Sequence, residues 1–186
     1  MIKIKLSKIL LLVCLFGCAS SIKPYSTKDF QCYPDAVYLI RHAEKQIIKG
    51  EQDPELTKSG FNRATALADS LGHISNGVIY SSEFKRAQQT VNSLASVWGT
   101  KVNIQNSHDP DRQIKRALSH CSKTVIISGH SNTIPNLISL FGIEDEVEIA
   151  NHLKRGSVCI STGDQHLSSV EEDIEDDNHS AIAGSP

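Results

Sequence analysis

The sequence predicts an α/β fold, a three-layer α/β/α sandwich around a mostly parallel central sheet. Two observations predict it. Residues 36–40 and 125–128 are short, nearly continuous apolar runs, the pattern of strands covered on both faces. Segments with helical spacing lie between such runs, so strand and helix alternate along the chain. The first helix is expected over 57–71, with Thr57 as its N-cap and Phe61, Ala64, Leu67, Ala68 and Leu71 on one face. Residues 78–80 read as a second strand and 83–98 as a second helix, with Ala87, Val91, Leu94, Ala95 and Trp98 turned inward. Residues 102–104 form a short third strand and 112–118 a helix. The strand at 125–128 and a helix at 134–141 follow, and 158–160 closes the series.

A chain of 186 residues has room for one folded domain, placed here at 36–163. Its apolar share of 39% and charged share of 22% are those of an ordinary globular protein. The net charge of -2 is unevenly spread, because Glu171, Glu172, Asp173, Glu175, Asp176 and Asp177 crowd one stretch. The rest is slightly basic and does not repel anionic substrates. Residues 164–186 are expected to be an acidic disordered tail. No basic stripe with interleaved aromatics is present, which argues against nucleic acid as a partner.

The N-terminus reads as an address. Lys3, Lys5 and Lys8 precede a short apolar stretch at 9–16 that ends in Leu15-Phe16-Gly17-Cys18. That stretch falls short of the roughly 20 apolar residues that span a membrane. It resembles a bacterial lipoprotein signal, which implies removal of residues 1–17, lipidation of Cys18 and attachment to a membrane through the lipid. An ordinary secretory signal or an uncleaved anchor would fit the same residues. Should the resemblance extend to Gram-negative lipoproteins, Ala19 implies the outer membrane, facing the periplasm. Residues 18–35 carry Ser20, Ser21, Pro24, Ser26 and Pro34 without periodicity, and read as a tether.

Ligands of such sheets bind at the carboxyl ends of the strands. Three strand ends here carry chemistry: Arg41-His42-Ala43-Glu44, Ser82-Glu83-Phe84-Lys85-Arg86, and Gly129-His130-Ser131-Asn132-Thr133. Two imidazoles and two fork-shaped guanidiniums on one rim suit phosphoryl transfer through a covalent histidine. Together with Leu56-Thr57-Lys58-Ser59-Gly60 and Arg86-Ala87-Gln88-Gln89-Thr90, these segments resemble, in order, the motifs of the histidine phosphatase superfamily, the phosphoglycerate mutase-like proteins. The resemblance covers about residues 36–162. It departs at Ala43, where Gly is usual.

The resemblance implies that His42 is the nucleophile and that Arg41, Arg86 and His130 bind the phosphoryl group with it. It implies no metal and no cofactor. The general acid is less evident. Only about forty residues separate Arg86 from His130, so any cap is minimal, and Asp109 is the best-placed acid in that interval. Asp109 equally suits an N-cap, since it precedes Pro110. Glu44 either orients an arginine or faces water, and Glu83 reads as an acid at a helix N-terminus. His73, His108, His120 and His152 read as surface histidines. The expected partner is a phosphorylated substrate: a small ester, an envelope glycan or a protein. A phosphohistidine protein phosphatase and an idle phosphate-binding lipoprotein are the alternatives. In the resembled family the strands that end in the two histidines are adjacent and parallel, which implies a Cys32–Cys121 disulfide. Three free thiols, Cys159 among them, are the competing arrangement.

Overall fold

The computed structural model describes Tyr25, residues 30–141 and, as backbone, the strands at 157–161 and 168–170. The expected signal, Cys18, His152, the Cys159 side chain and most of the tail lie outside the described residues. The elements run β1 (Ala36–Arg41), α1 (Lys58–Leu71), β2 (Gly77–Ser82), α2 (Lys85–Val97), β3 (Val102–Gln105), α3 (Pro110–Leu118), β4 (Thr124–Gly129), α4 (Ile134–Leu140), β5 (Ser157–Ser161) and β6 (Ser168–Val170). They build the α/β sandwich that the alternation predicts. The six-stranded sheet has the order β3-β2-β4-β1-β5-β6. Its first four strands are parallel, and β5 and β6 are added antiparallel.

The side chains of β1 and β4 alternate between the two faces of the sheet, and helices cover both faces. Val37 and Leu39 of β1 and Val125 and Ile127 of β4 pack with Ile114 of α3 and Leu137 of α4. Ile40, Ile79 and Ile126 face the opposite way, onto Leu67 and Leu71 of α1 and Val91 and Leu94 of α2. A strand buried on both faces has no polar register to alternate with, hence the continuous apolar runs. Thr57 caps α1, its hydroxyl accepting from Gly60 N at 3.0 Å. Phe61 departs from the expected inward face: it is 45% exposed, and Gly60 takes the buried position in its place. A Cβ at Gly60 would collide with the Glu44 carbonyl, so only glycine lets α1 start this close to the loop after β1. Trp98 ends α2 as its C-cap, with its indole N–H donating to Leu71 O at 2.9 Å.

Two stretches read as unstructured have structured parts. Within the expected tether, Tyr25, Phe30 and Tyr33 pack against the α3–α4 side of the core. Tyr25 N donates to Leu140 O at 3.0 Å, and its hydroxyl to Asp111 Oδ1 at 2.8 Å. Three isolated aromatics fit neither a helical nor a strand period, so the pattern did not reveal them. Within the expected tail, residues 168–170 pair with β5. A three-residue edge strand needs only backbone partners and leaves little apolar trace.

Cys32 and Cys121 are joined in a disulfide, with Cα atoms 5.3 Å apart and a separation of 89 positions in sequence. They lie just before β1 and β4, whose starts are aligned (Ala36 opposite Thr124), at the edge of the sheet away from the histidines. Cross-linking so long a loop restricts the unfolded chain strongly. Cys121→Ser is therefore expected to lower the unfolding free energy by roughly 2–5 kcal/mol. Urea denaturation of the lipid-free protein measures this, and an unchanged midpoint would show the bridge to be energetically silent. Among the described residues no helix is long and apolar enough to cross a membrane.

Candidate active site

The strand order assembles the site. Inserting β4 between β1 and β2 reverses the winding of the sheet, and ligands collect at such a switch point. The register sets Arg41 opposite Gly129 and Ser81 opposite Ser128, so all three distinctive segments leave the sheet at one height. His42 N donates to Gly129 O at 3.0 Å, and the His42 and His130 rings lie 5.3 Å apart.

The remaining motif residues hold this rim in place. Thr90 Oγ1 accepts from Ala43 N and donates to Arg86 O, both at 2.8 Å, which ties the first segment to α2. Gln89 Oε1 accepts from Leu56 N at 2.8 Å, and Ser128 Oγ donates to Ala87 O at 2.9 Å. Ala43, standing where the family pattern has Gly, is buried with Leu56 and Ala64, so its methyl group fills space instead of obstructing a ligand.

His42 presents one nitrogen for chemistry. Its Nδ1 lies 2.7 Å from Ala43 O, and a carbonyl can only accept. Nδ1 therefore carries the hydrogen in the neutral ring, and the lone pair is on Nε2. Burial lowers the His42 pKa below its ordinary value, and the charges of Arg86, Arg41 and Lys45 add to this, against the hydrogen bond to Ala43. His130 is lowered further, to about 4, by burial first and then by Arg86 and His42, with Glu83 and Asp53 opposing. Both rings are neutral at pH 7. His130 Nε2 lies 2.9 Å from Ser82 Oγ, and the Phe84 ring meets it edge-on at 5.0 Å.

Arg86 lies over the Phe84 ring, 4.4 Å from Cζ to the centroid, and forms a 3.5 Å ion pair with Asp53. Asp53 also accepts from Lys85 N at 2.9 Å, so one carboxylate caps α2 and steadies the guanidinium. Even so, Arg86 Nε and Nη1, Arg41 Nε and His130 Nδ1 are buried without a hydrogen-bond partner. Buried polar atoms are nearly always paired. An unpaired one costs roughly 1–3 kcal/mol, and more on a charged group. Four such atoms around two neutral imidazoles make a site for an anion.

Glu44 orients an arginine that sequence reasoning missed. Arg63 Nη1 donates to Glu44 Oε1 at 2.8 Å, while Nη2 reaches the carbonyls of Arg41 (3.1 Å) and His42 (3.0 Å). Asp109 serves as the N-cap of α3, accepting from Arg112 N at 3.1 Å. Glu83 is engaged with the next loop, its carboxylate accepting from Ser107 N and Ser107 Oγ, each at 2.9 Å. His120 is only partly exposed and pairs with the Tyr80 hydroxyl at 2.7 Å, away from the rim. Among the described residues no group of three or more His, Cys, Asp or Glu could hold a metal ion.

The model of the histidine phosphatase superfamily (branch 1) matches residues 37–107, which contain the Arg41-His42 segment and the Arg86 segment. This part of the chain is similar to the histidine phosphatase superfamily. A candidate phosphoserine phosphatase of Hydrogenobacter thermophilus is 37% identical over 73 residues, which are 37% of this chain and 36% of that protein. The chain thus matches about a third of that curated relative's length. Among solved structures, a candidate SixA phosphohistidine phosphatase of Agrobacterium tumefaciens superposes with a TM-score of 0.55 at 20% identity, covering 74% of this chain and 96% of the other. The product of a Mycobacterium tuberculosis open reading frame gives 0.53 at 14% identity, covering 74% and 96%. At these identities the likeness is one of fold. The superfamily match ends before β4, so it is the sheet register that brings His130 to His42.

Proposed function

We propose that this chain is a member of the histidine phosphatase superfamily and a metal-independent phosphomonoesterase of the cell envelope that works through a phosphohistidine on His42. The observation that carries this reading is the set of polar atoms without a hydrogen-bond partner on Arg41, Arg86 and His130 beside a His42 whose Nδ1 is held by Ala43 O. In the first step His42 Nε2 forms a bond to phosphorus as the ester P–O bond breaks, and the departing oxygen takes up a proton. The guanidiniums spread the charge of the equatorial oxygens, the part a metal ion has in other phosphoryl-transfer sites. In the second step water attacks the phosphoimidazole and returns His42 with inorganic phosphate. The candidate phosphoserine phosphatase among its relatives is of the same reaction class.

The envelope address rests on the N-terminal pattern and is supported by the disulfide, since such bridges persist in oxidising compartments. Cys18→Ser should move the protein from the membrane pellet to the soluble envelope fraction, and a variant that stays in the pellet would contradict lipid anchoring. A chelator is expected to leave the rate unchanged, because the clamp is built from side chains. Inactivation by a chelator that zinc or magnesium reverses would overturn that part. Only residues 106–109 connect β3 to α3, so the cap is slight and bulky phosphates are admitted. A panel of sugar phosphates, aryl phosphates and phosphohistidine peptides tests the function. Turnover confined to the peptides would favour the phosphoprotein reading, and no turnover of any member would refute both.

A further inference from the structure

A phosphatase acting on an unactivated alcohol needs a group that hands a proton to the departing oxygen. The structure shows Asp109 capping α3, and the phosphatase reading gives His42, Arg41, Arg86 and His130 to the phosphate. One chain of hydrogen bonds beside the site has no part in this division. Glu83 accepts from both the N–H and the hydroxyl of Ser107, and Ser107 Oγ lies 3.1 Å from His108 Nδ1.

Direction along this chain follows from chemistry. Burial alone would raise the Glu83 pKa, but the hydrogen bonds from its own backbone and from Ser107, with the charge of His108, hold it below its ordinary value. Glu83 is therefore an acceptor only, and the single hydroxyl proton of Ser107 goes to it. Ser107 Oγ is left as the acceptor towards His108, whose Nδ1 must supply that hydrogen. His108 is thus fixed through one nitrogen, and Nε2 is its free end.

Placement agrees. His108 lines a pocket of about 300 Å³ together with Asn132, Thr133 and Asn136. Thr133 Oγ1 accepts from His130 N at 3.2 Å, so one wall of this pocket is the loop that carries His130. The other end of the chain, Glu83, sits between Ser82 and Phe84, both of which touch His130. The pocket therefore adjoins the His130 loop, next to the proposed phosphate site.

We infer that His108, positioned by Ser107 and Glu83, is the general acid for a leaving group bound in this pocket. The inference rests on the phosphatase reading. As the His42–phosphorus bond forms and the ester bond breaks, His108 Nε2–H passes its proton to the departing oxygen. The neutral imidazole then takes a proton from the water that attacks the phosphoimidazole, so the cycle consumes one ester and one water and releases alcohol and phosphate.

The test is kcat/KM for a series of phosphate esters of rising leaving-group basicity, from 4-nitrophenyl through phenyl to glycerol phosphate. His108→Gln is expected to lower the rate on phenyl and glycerol phosphate by roughly 10²–10⁴-fold, the usual size of general-acid catalysis. The 4-nitrophenyl ester, whose leaving group needs no proton, should lose far less, so the dependence on leaving-group basicity steepens. Ser107→Ala should steepen it partway, and Ser107→Thr should restore it. Asp109→Asn, which still caps a helix well, should keep the wild-type dependence. An equal loss on all esters in His108→Gln, no loss at all, or a steepened dependence in Asp109→Asn would each overturn the assignment. Absence of turnover by the wild-type protein would instead remove the phosphatase reading itself.

Discussion

His42→Ala is expected to lower kcat/KM by four or more orders of magnitude, on the order of losses seen when covalent nucleophiles are removed. The imidazole is neutral, its Nδ1 hydrogen is held by Ala43 O at 2.7 Å, and Nε2 is left to attack. Among the described residues, His130 does not stand in its place: Ser82 Oγ lies 2.9 Å from its Nε2, and its ring lies 5.3 Å away between centroids. The fold should survive, since His42 is only half-buried and its loop is held by backbone bonds to Gly129 and Thr90. Steady-state kinetics with an aryl phosphate, alongside a thermal melt, measure both. A folded variant keeping more than about a tenth of the rate, a change under roughly 1.4 kcal/mol, would exclude His42 as nucleophile.

Arg86→Lys is expected to be nearly as informative, with a loss of roughly 10²–10³-fold in kcat. The substitution keeps the charge and removes the fork. The guanidinium lies over Phe84 and pairs through Nη1 with Asp53, while Nε is buried without a hydrogen-bond partner. An ammonium is a point donor that cannot present two parallel N–H groups to two phosphoryl oxygens. The loss should fall mainly on kcat, as expected of a clamp that binds the transition state more tightly than the substrate. A rise in KM alone, with kcat unchanged, would mean that Arg86 contributes only ground-state binding.

The elements that were legible in the sequence are those with strong periods. β1 and β4 showed as apolar runs because both their faces are covered. α1 showed through its cap and its Ala64, Leu67, Ala68 and Leu71 stripe. Phe61 misled because hydrophobicity alone cannot register that Gly60 must approach the Glu44 carbonyl. The aromatics at 25, 30 and 33 have no period, so their packing on the α3–α4 layer left no pattern to read. At the site, residues within contiguous motifs could be named, because each motif leaves one strand end. Asp53 and Arg63 could not. They reach Arg86 and the Arg41 and His42 carbonyls from a loop and a helix distant in sequence, and only the tertiary structure brings them there. His108 was hidden for the same reason, since an exposed histidine in a loop gains direction only from Ser107 and Glu83.

The central claim is a covalent phosphoryl group on His42, and rapid quenching tests it most directly. Enzyme mixed with an aryl phosphate, quenched in alkali within the first turnover and digested, should yield a peptide containing His42 that carries one phosphoryl group. The modification should vanish on acid treatment, as a phosphoimidazole does, and should be absent from His42→Ala. Stoichiometric release of the aryl alcohol with no phosphorylated His42 peptide, or a phosphoryl group that survives acid, would contradict the account.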